Sequence, residues 1–380
     1  MGTSTCLSCA CSRSWCARAC CAGCLIVRGD IDKMEIRQKK RIVTYAVILC
    51  LLGMFPLVGG DYDTVLIARI FCFAILALSL DLIWGYAGLL SFGHGAFFGL
   101  GAYGLGLTLK YCDFPGMSYV GVIVGIFGTA IVAAILGYFL FYGRVSGIYF
   151  GIITLAFTTI LWSLSITLIQ ITGGQNGLYG AFLEPSYGIP GLLEFQRTRT
   201  SNMANYYTCL VGFILSYCLC RFLVRSHFGR ILLAIKNNEE RLECFGYNVA
   251  NFKIAIFAVS AGLAGFAGSM SVPIHFIAPT TFGLLFSTSV IIWVAVGGRG
   301  TLTGPIIGAF LVTYMENWLS TQFEYLWVLL MGILFVLVVV FQQGGIVKLA
   351  ENIINRDRGK DEGRLRSSPG VPRTRIKEEP

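Results

Sequence analysis

Charge is what this sequence has least of: 13% of its 380 residues are Asp, Glu, Lys or Arg, while 56% are hydrophobic and the mean hydropathy is +0.72. That balance excludes the surface of an ordinary soluble enzyme. Histidine is also scarce, and His94, His227 and His275 lie in unrelated segments without an HExxH pattern or paired carboxylates at helical spacing, so intramembrane metal or acid–base hydrolysis lacks its residues. No G-x-x-x-x-G-K-[ST] phosphate loop occurs, and the Gly359–Lys360 pair is followed by Asp361. The chain therefore has no means of hydrolysing ATP by that route. A net charge of +9 raises nucleic acid as a partner, yet the basic residues gather in tails and short loops beside apolar runs, where membrane topology explains them.

What is abundant is apolar sequence interrupted by glycine. Between Leu78 and Tyr103 the chain reads LSLDLIWGYAGLLSFGHGAFFGLGAY, and Gly85, Gly88, Gly93, Gly95, Gly99, Gly101 and Gly104 follow one another closely. Each removes a side chain and loosens a helix. Backbone broken at bilayer depth is tolerated only where it is buried in protein or lines a wet cavity, so this stretch is expected to edge a path for a polar solute. Gly99, Gly101 and Gly104 match G-x-G-x-x-G, but no strand precedes them, and close helix packing is the expected use. The same holds for Gly95/Gly99, Gly121/Gly125, Gly147/Gly151 and Gly304/Gly308. Trp84, Gly88, Gly95 and Gly99 also share their spacing with Trp293, Gly297, Gly304 and Gly308, which is compatible with a parallel internal repeat or with coincidence in a glycine-rich chain.

Windows of about 20 apolar residues, the length of one crossing, recur from Ile42 to Phe341. The expected fold is all-α, a polytopic membrane protein of about ten transmembrane helices with glycine-broken segments. The crossings read as 42–58, 66–84, 95–111, 119–142, 148–171, 206–224, 252–272, 284–296, 304–319 and 325–341. This places Lys39 to Arg41, Arg144, Arg221 to Lys253, Arg299 and Lys348 together on the inner side, with both termini cytoplasmic. Arg197 and Arg199 fall in a long polar outer loop spanning 172–205.

Three regions follow: a Cys-rich extension over 1–40, a transmembrane domain over 41–345 with a cytosolic loop at 225–251, and a charged cytosolic tail over 346–380. Half of the fourteen cysteines precede residue 25. Their irregular spacing, with no histidine before His94, argues against zinc, and neither metal nor any other cofactor is expected. Met34 opens MEIRQKKRIVTYAVIL, a basic flank running into an apolar onset, and is the expected natural start.

The loop from Ser226 to Lys253 reads as an amphipathic helix, with Ile231, Ile235, Leu242 and Phe245 on one face and Gly246 as its stop. It carries nearly as many acids as bases, which suits a protein groove better than anionic lipid. Polar residues within the spans are the candidates for a solute path: Asp81, Tyr86, Ser91, His94, Tyr103, Gln175 and Asn176, with Thr154, Glu316 and Asn317 beside them. Each has a plainer use. Asp81 and Glu316 fall near span ends and suit the interface, His94 suits a turn cap, and Gln175 and Asn176 suit an outer loop.

The Leu78–Tyr103 stretch resembles the first signature of the branched-chain amino-acid permeases of bacterial ABC importers. Gly229 to Gly246, GRILLAIKNNEERLECFG, resembles that family's cytosolic coupling loop, and GGQNGL at Gly173 to Leu178 its outer glycine motif. Within the family, Ile291 to Ala309 and the Asp81–Trp84–Gly85 combination are most similar to the urea-transporting subunit. The resemblance spans about Arg41 to Gly345. It implies a bacterial inner-membrane permease that pairs with a second homologous permease, two cytosolic ATPases and an extracytoplasmic binding protein. Arg230, Asn238, Glu239, Arg241 and Gly246 then become the positions a motor subunit grips. Many hydroxyls and few paired ions lean toward neutral urea as solute; branched-chain or other small amino acids are the alternative, as is an energy-independent urea channel.

Overall fold

In the computed structural model, residues 52–56, 60–111, 117–145, 147–178, 199–274 and 277–322 are described, with a few positions between 329 and 336. The chain divides into two compact units, Met1–Gly60 and Asp61–Pro380. Of the first, 52–56 form a helical turn. The Cys-rich extension, Met34, most of the 42–58 crossing, His275, most of the 325–341 crossing and the charged tail lie outside the described residues.

The second unit is built on α1, Asp61–Asp81, which begins with Asp61 and Asp63 at the positive end of its dipole. From Phe71 to Ile83 every residue of this run is buried, on all sides. A helix apolar all round belongs in the centre of a bundle, and α1 packs on helices from both halves of the unit. It runs into a π-helical turn, Leu82–Ala87, closed by Gly88 in a left-handed conformation at φ 79°. The Leu78–Tyr103 stretch is thus broken, as its glycines foretell, and its second helix, α2, resumes at His94–Tyr111.

Next come α3, Met117–Tyr142, and α4, Ile148–Thr167, followed after a break at Leu168 by a single turn, Ile169–Thr172. α5 covers Arg199–Arg225, so Arg199 begins a helix instead of closing the outer loop. α8, Val249–Ser271, packs tightly on α2 and α3. Two of the G-x-G-x-x-G glycines serve these contacts, since a Cβ on Gly101 would overlap the Gly265 carbonyl and one on Gly104 would press on Gly125, while one on Gly99 would overlap the Phe282 ring. Finally α9, Leu284–Gly297, and α10, Thr303–Gln322, pair closely, where a Cβ on Gly308 would overlap the Trp293 carbonyl. Gly147 departs from the packing expectation, because a Cβ there meets nothing; it starts α4 at φ 61°.

Among the described residues five helices are long and apolar enough to cross a membrane: Asp61–Ala87, Met117–Tyr142, Ile148–Thr167, Asn202–Arg225 and Val249–Ser271, with Leu284–Gly297 as a shorter apolar helix. That is a multi-pass, mostly helical membrane protein; the count of ten is not reached among them. The first of these is 83% buried in its apolar window, whereas the next three are 28% buried. Phe127, Ile131, Ile135 and Phe139 on α3 and Val211, Leu215 and Phe222 on α5 are exposed, the composition of a face that meets lipid or another subunit.

Among the described residues, the expected inner loops around Trp84, Arg144, Arg221 to Lys253 and Arg299 share one end of the bundle. The Leu82–Ala87 turn packs on the loop following α5, Tyr142 beside Arg144 donates to Asn251 Oδ1 at 2.9 Å, and Arg299 lies 5.7 Å over the Trp84 ring.

Candidate functional site

The loop between α5 and α8 is two helices. α6 covers His227–Asn237 and α7 covers Glu239–Cys244; they are separated by Asn238, which is extended and accepts the Arg241 backbone N–H at its side chain. An N-cap of this kind resets the helix phase. Ile231 and Ile235 are buried and Leu242 half-buried, but Phe245 is 79% exposed, against the single-face expectation. Arg230, Asn238, Arg241 and Gly246 are exposed too, the last turning the chain at φ 83°. Glu239 faces inward to Lys253 Nζ at 2.6 Å. Lys253 is buried at the start of α8 and lies 5.8 Å over the Phe141 ring, so this pair fastens α7 to the membrane core.

Lys236 at the end of α6 reaches the membrane-embedded turn itself, with Nζ donating to the Gly85 carbonyl at 2.5 Å. One turn back on α1, Asp81 is fully buried and its Oδ1 accepts the Gly300 N–H at 2.7 Å. Gly300 belongs to the turn joining α9 to α10. A Cβ on Gly85 would overlap the Asp81 carboxylate and stand 2.6 Å from Gly300 N, so glycine is what lets the two turns meet. Asp81 is therefore an internal strut and not the interfacial residue its position near a span end suggests. Of the two segments alike in spacing, Trp84–Gly88 meets the turn at Arg299 and Gly300, whereas Trp293 stacks on Phe73 further along α1.

The other path candidates are spread over several elements. His94 Nε2 pairs with Ser260 Oγ at 2.8 Å, and Ser260 donates to the Ser79 carbonyl; this chain, and not a turn cap, is where His94 is engaged. Ser91 accepts the Gly93 N–H, Thr154 accepts the Phe92 N–H, and Tyr86 is buried. Tyr103 stacks on Phe282 with ring centroids 5.4 Å apart. Gln175 and Asn176 are exposed on a short 3-10 turn, and Leu178, two residues beyond it, pairs with Ile277.

Ile277 is one wall of a cavity of about 270 Å³ at the end of the bundle remote from α6. Phe73, Phe98, Phe286 and Leu285 supply its apolar surface, Ser271, Thr280 and Thr281 its hydroxyls, and Arg69 and Glu316 its charges. Arg69 lies 5.2 Å over the Phe73 ring; Tyr62 donates to Asn317 Oδ1 beside Glu316 at 3.1 Å. Of the expected path residues, only Glu316 lines this cavity. Arg69 escaped sequence reasoning, although a lone basic residue inside an apolar run is the kind of costly placement that marks a polar site. Among the described residues no His, Cys, Asp and Glu cluster of metal-binding size occurs.

The high-affinity branched-chain amino acid transport system permease protein LivM of Escherichia coli (strain K12) is 27% identical over 355 residues, covering 88% of this chain and 80% of the relative. The probable branched-chain amino acid transport permease protein LivM of Methanocaldococcus jannaschii is 24% identical over 318 residues, covering 72% and 89%. No solved structure matches the chain. These relatives are permeases, and the chain is a transport subunit and not an enzyme. Over residues 64–339 the sequence matches the branched-chain amino acid transport system / permease component family, and the protein belongs to it.

Proposed function

We propose that this chain is the permease subunit of an ATP-driven importer of branched-chain amino acids. Two cytosolic ATPases supply the energy, a second homologous permease completes the membrane path, and an extracytoplasmic binding protein delivers solute; both termini lie in the cytoplasm. The observation that carries the reading is the bond from Lys236 to Gly85, which joins an exposed pair of short helices to the buried turn where α1 meets α10. Force applied to α6 from outside the membrane has a short polar route into the two helices that run the depth of the bundle. A rigid-body shift of such packed elements is a recognised way to switch access.

The solute reading rests on the family and on the names of the relatives, which support amino acids over urea. The scarcity of paired ions that favoured urea is answered by the cavity, where Arg69 and Glu316 face the same space. Uptake of labelled leucine and labelled urea by vesicles carrying the whole assembly, with and without ATP, tests this. Leucine accumulation that needs ATP supports the proposal; urea accumulation without leucine accumulation overturns the solute, and equilibration of either without ATP overturns the importer.

A further inference from the structure

We propose that the Arg69–Glu316 cavity is the solute site within this subunit, taking an α-amino acid with an aliphatic side chain: the guanidinium receives the carboxylate and the Glu316 carboxylate receives the ammonium. The inference rests on the amino-acid reading above and deepens it. A zwitterion needs one fixed partner of each sign, and these two side chains stand on facing helices, α1 and α10, at the rim of one cavity. Arg69 Nε is buried with no hydrogen-bond partner among the described residues, a donor that an arriving carboxylate would satisfy.

Phe73, Phe98 and Phe286 form a continuous aromatic wall, with centroids 5.3–6.2 Å apart, backed by Trp293 at 4.8 Å from Phe73. An aliphatic side chain is matched by that wall, whereas urea has no apolar part to place there. About 270 Å³ of space falls at the lower edge of small-ligand pockets, the range for one amino acid and too little for a peptide.

Arg69 and Asp81 sit 12 positions apart on α1, about 18 Å at the helical rise, and α10 runs from the Gly300 turn to Glu316. The two helices that hold the charged pair are thus the two that Asp81 and Gly300 join at the other end. A shift of one helix against the other alters the spacing between Arg69 and Glu316 and releases what they hold.

The test is saturation-transfer NMR on the assembled permeases and ATPases in nanodiscs, without binding protein, using leucine, leucinamide and 4-methylpentanoate as probes. Leucine methyl signals are expected, with each analogue weaker by about tenfold, the effect of losing one charge-assisted bond. Arg69→Ala is expected to erase the preference for leucine over leucinamide, and Glu316→Gln the preference over 4-methylpentanoate. Ser289→Phe, which keeps both charges and fills the cavity, is expected to abolish the leucine signal in an assembly of normal yield. Unchanged leucine contact in all three variants overturns the site, even where vesicles import leucine with ATP. Failure of the wild-type vesicles to import leucine overturns the functional reading itself.

Discussion

Lys236 Nζ donates to the carbonyl of Gly85, 151 positions earlier, at 2.5 Å. A regular helix would leave that carbonyl to the residue four positions on. Here α1 ends in a wide π turn and Gly88 reverses the chain, so a side chain from the neighbouring loop takes its place. π turns of this kind often mark functional positions. The bond makes α6 part of the bundle instead of a loose surface helix, and the consequences can be measured.

Phe245 is 79% exposed just past the end of α7. An exposed aromatic on a loop expected to meet a motor subunit is the typical anchor of an interface. Phe245→Ala is expected to weaken association of the ATPase by about 30-fold, roughly 2 kcal/mol, while leaving the thermal stability of the permease unchanged. Pull-down titration against the isolated ATPase reads the first, and a melting scan in detergent reads the second.

Lys253 is almost fully buried and its partner Glu239 is partly open to solvent, with side-chain exposures of 5% and 41%. Removing the outer partner strands the buried charge, whereas removing the inner one strands little. Glu239→Ala is therefore expected to cost about 1–2 kcal/mol, less than a fully enclosed pair would because water reaches the carboxylate, and Lys253→Met clearly less. Comparing the two melting temperatures checks the order; a larger loss in Lys253→Met would contradict it.

Gly101 and Gly265 bring α2 and α8 into backbone contact. Gly101→Leu has no flexible neighbour to displace, since the atoms it meets are main chain. The expected outcome is loss of well-packed protein, by about 3 kcal/mol or more, seen as a collapse of the monodisperse peak on size exclusion. Gly128→Leu is the control, because a Cβ at Gly128 meets nothing within 4 Å, and it is expected to elute normally.

Much of this fold was legible because apolar length and glycine breaks are local signals. The break in the Leu78–Tyr103 stretch, the return to helix one residue before the expected Gly95 and the close packing at Gly99, Gly101 and Gly104 follow from residues close in sequence. The first crossing, however, expected to run to Trp84, already widens into a π turn at Leu82. Phase within the α5–α8 loop was not legible: counting from Ile231 assigns Phe245 to the buried face only if the helix is unbroken, and Asn238 breaks it by capping α7. Nor does any local pattern say that Asp81 meets Gly300, 219 positions away, since helix packing sets that register. Arg69 was hidden for a different reason, as one basic residue barely alters the hydropathy of a long apolar run. Its partner Glu316 stood out because it adjoins Asn317 near the end of a span.

The most direct test of the account measures ATP hydrolysis and leucine import side by side in one assembly, wild type against Lys236→Met. If α6 drives the bundle through Gly85, hydrolysis stays close to its wild-type rate while import falls about tenfold or more, the loss of one charged hydrogen bond at a coupling point. Import that keeps pace with hydrolysis in the variant would show that the bond transmits nothing, and would contradict the account.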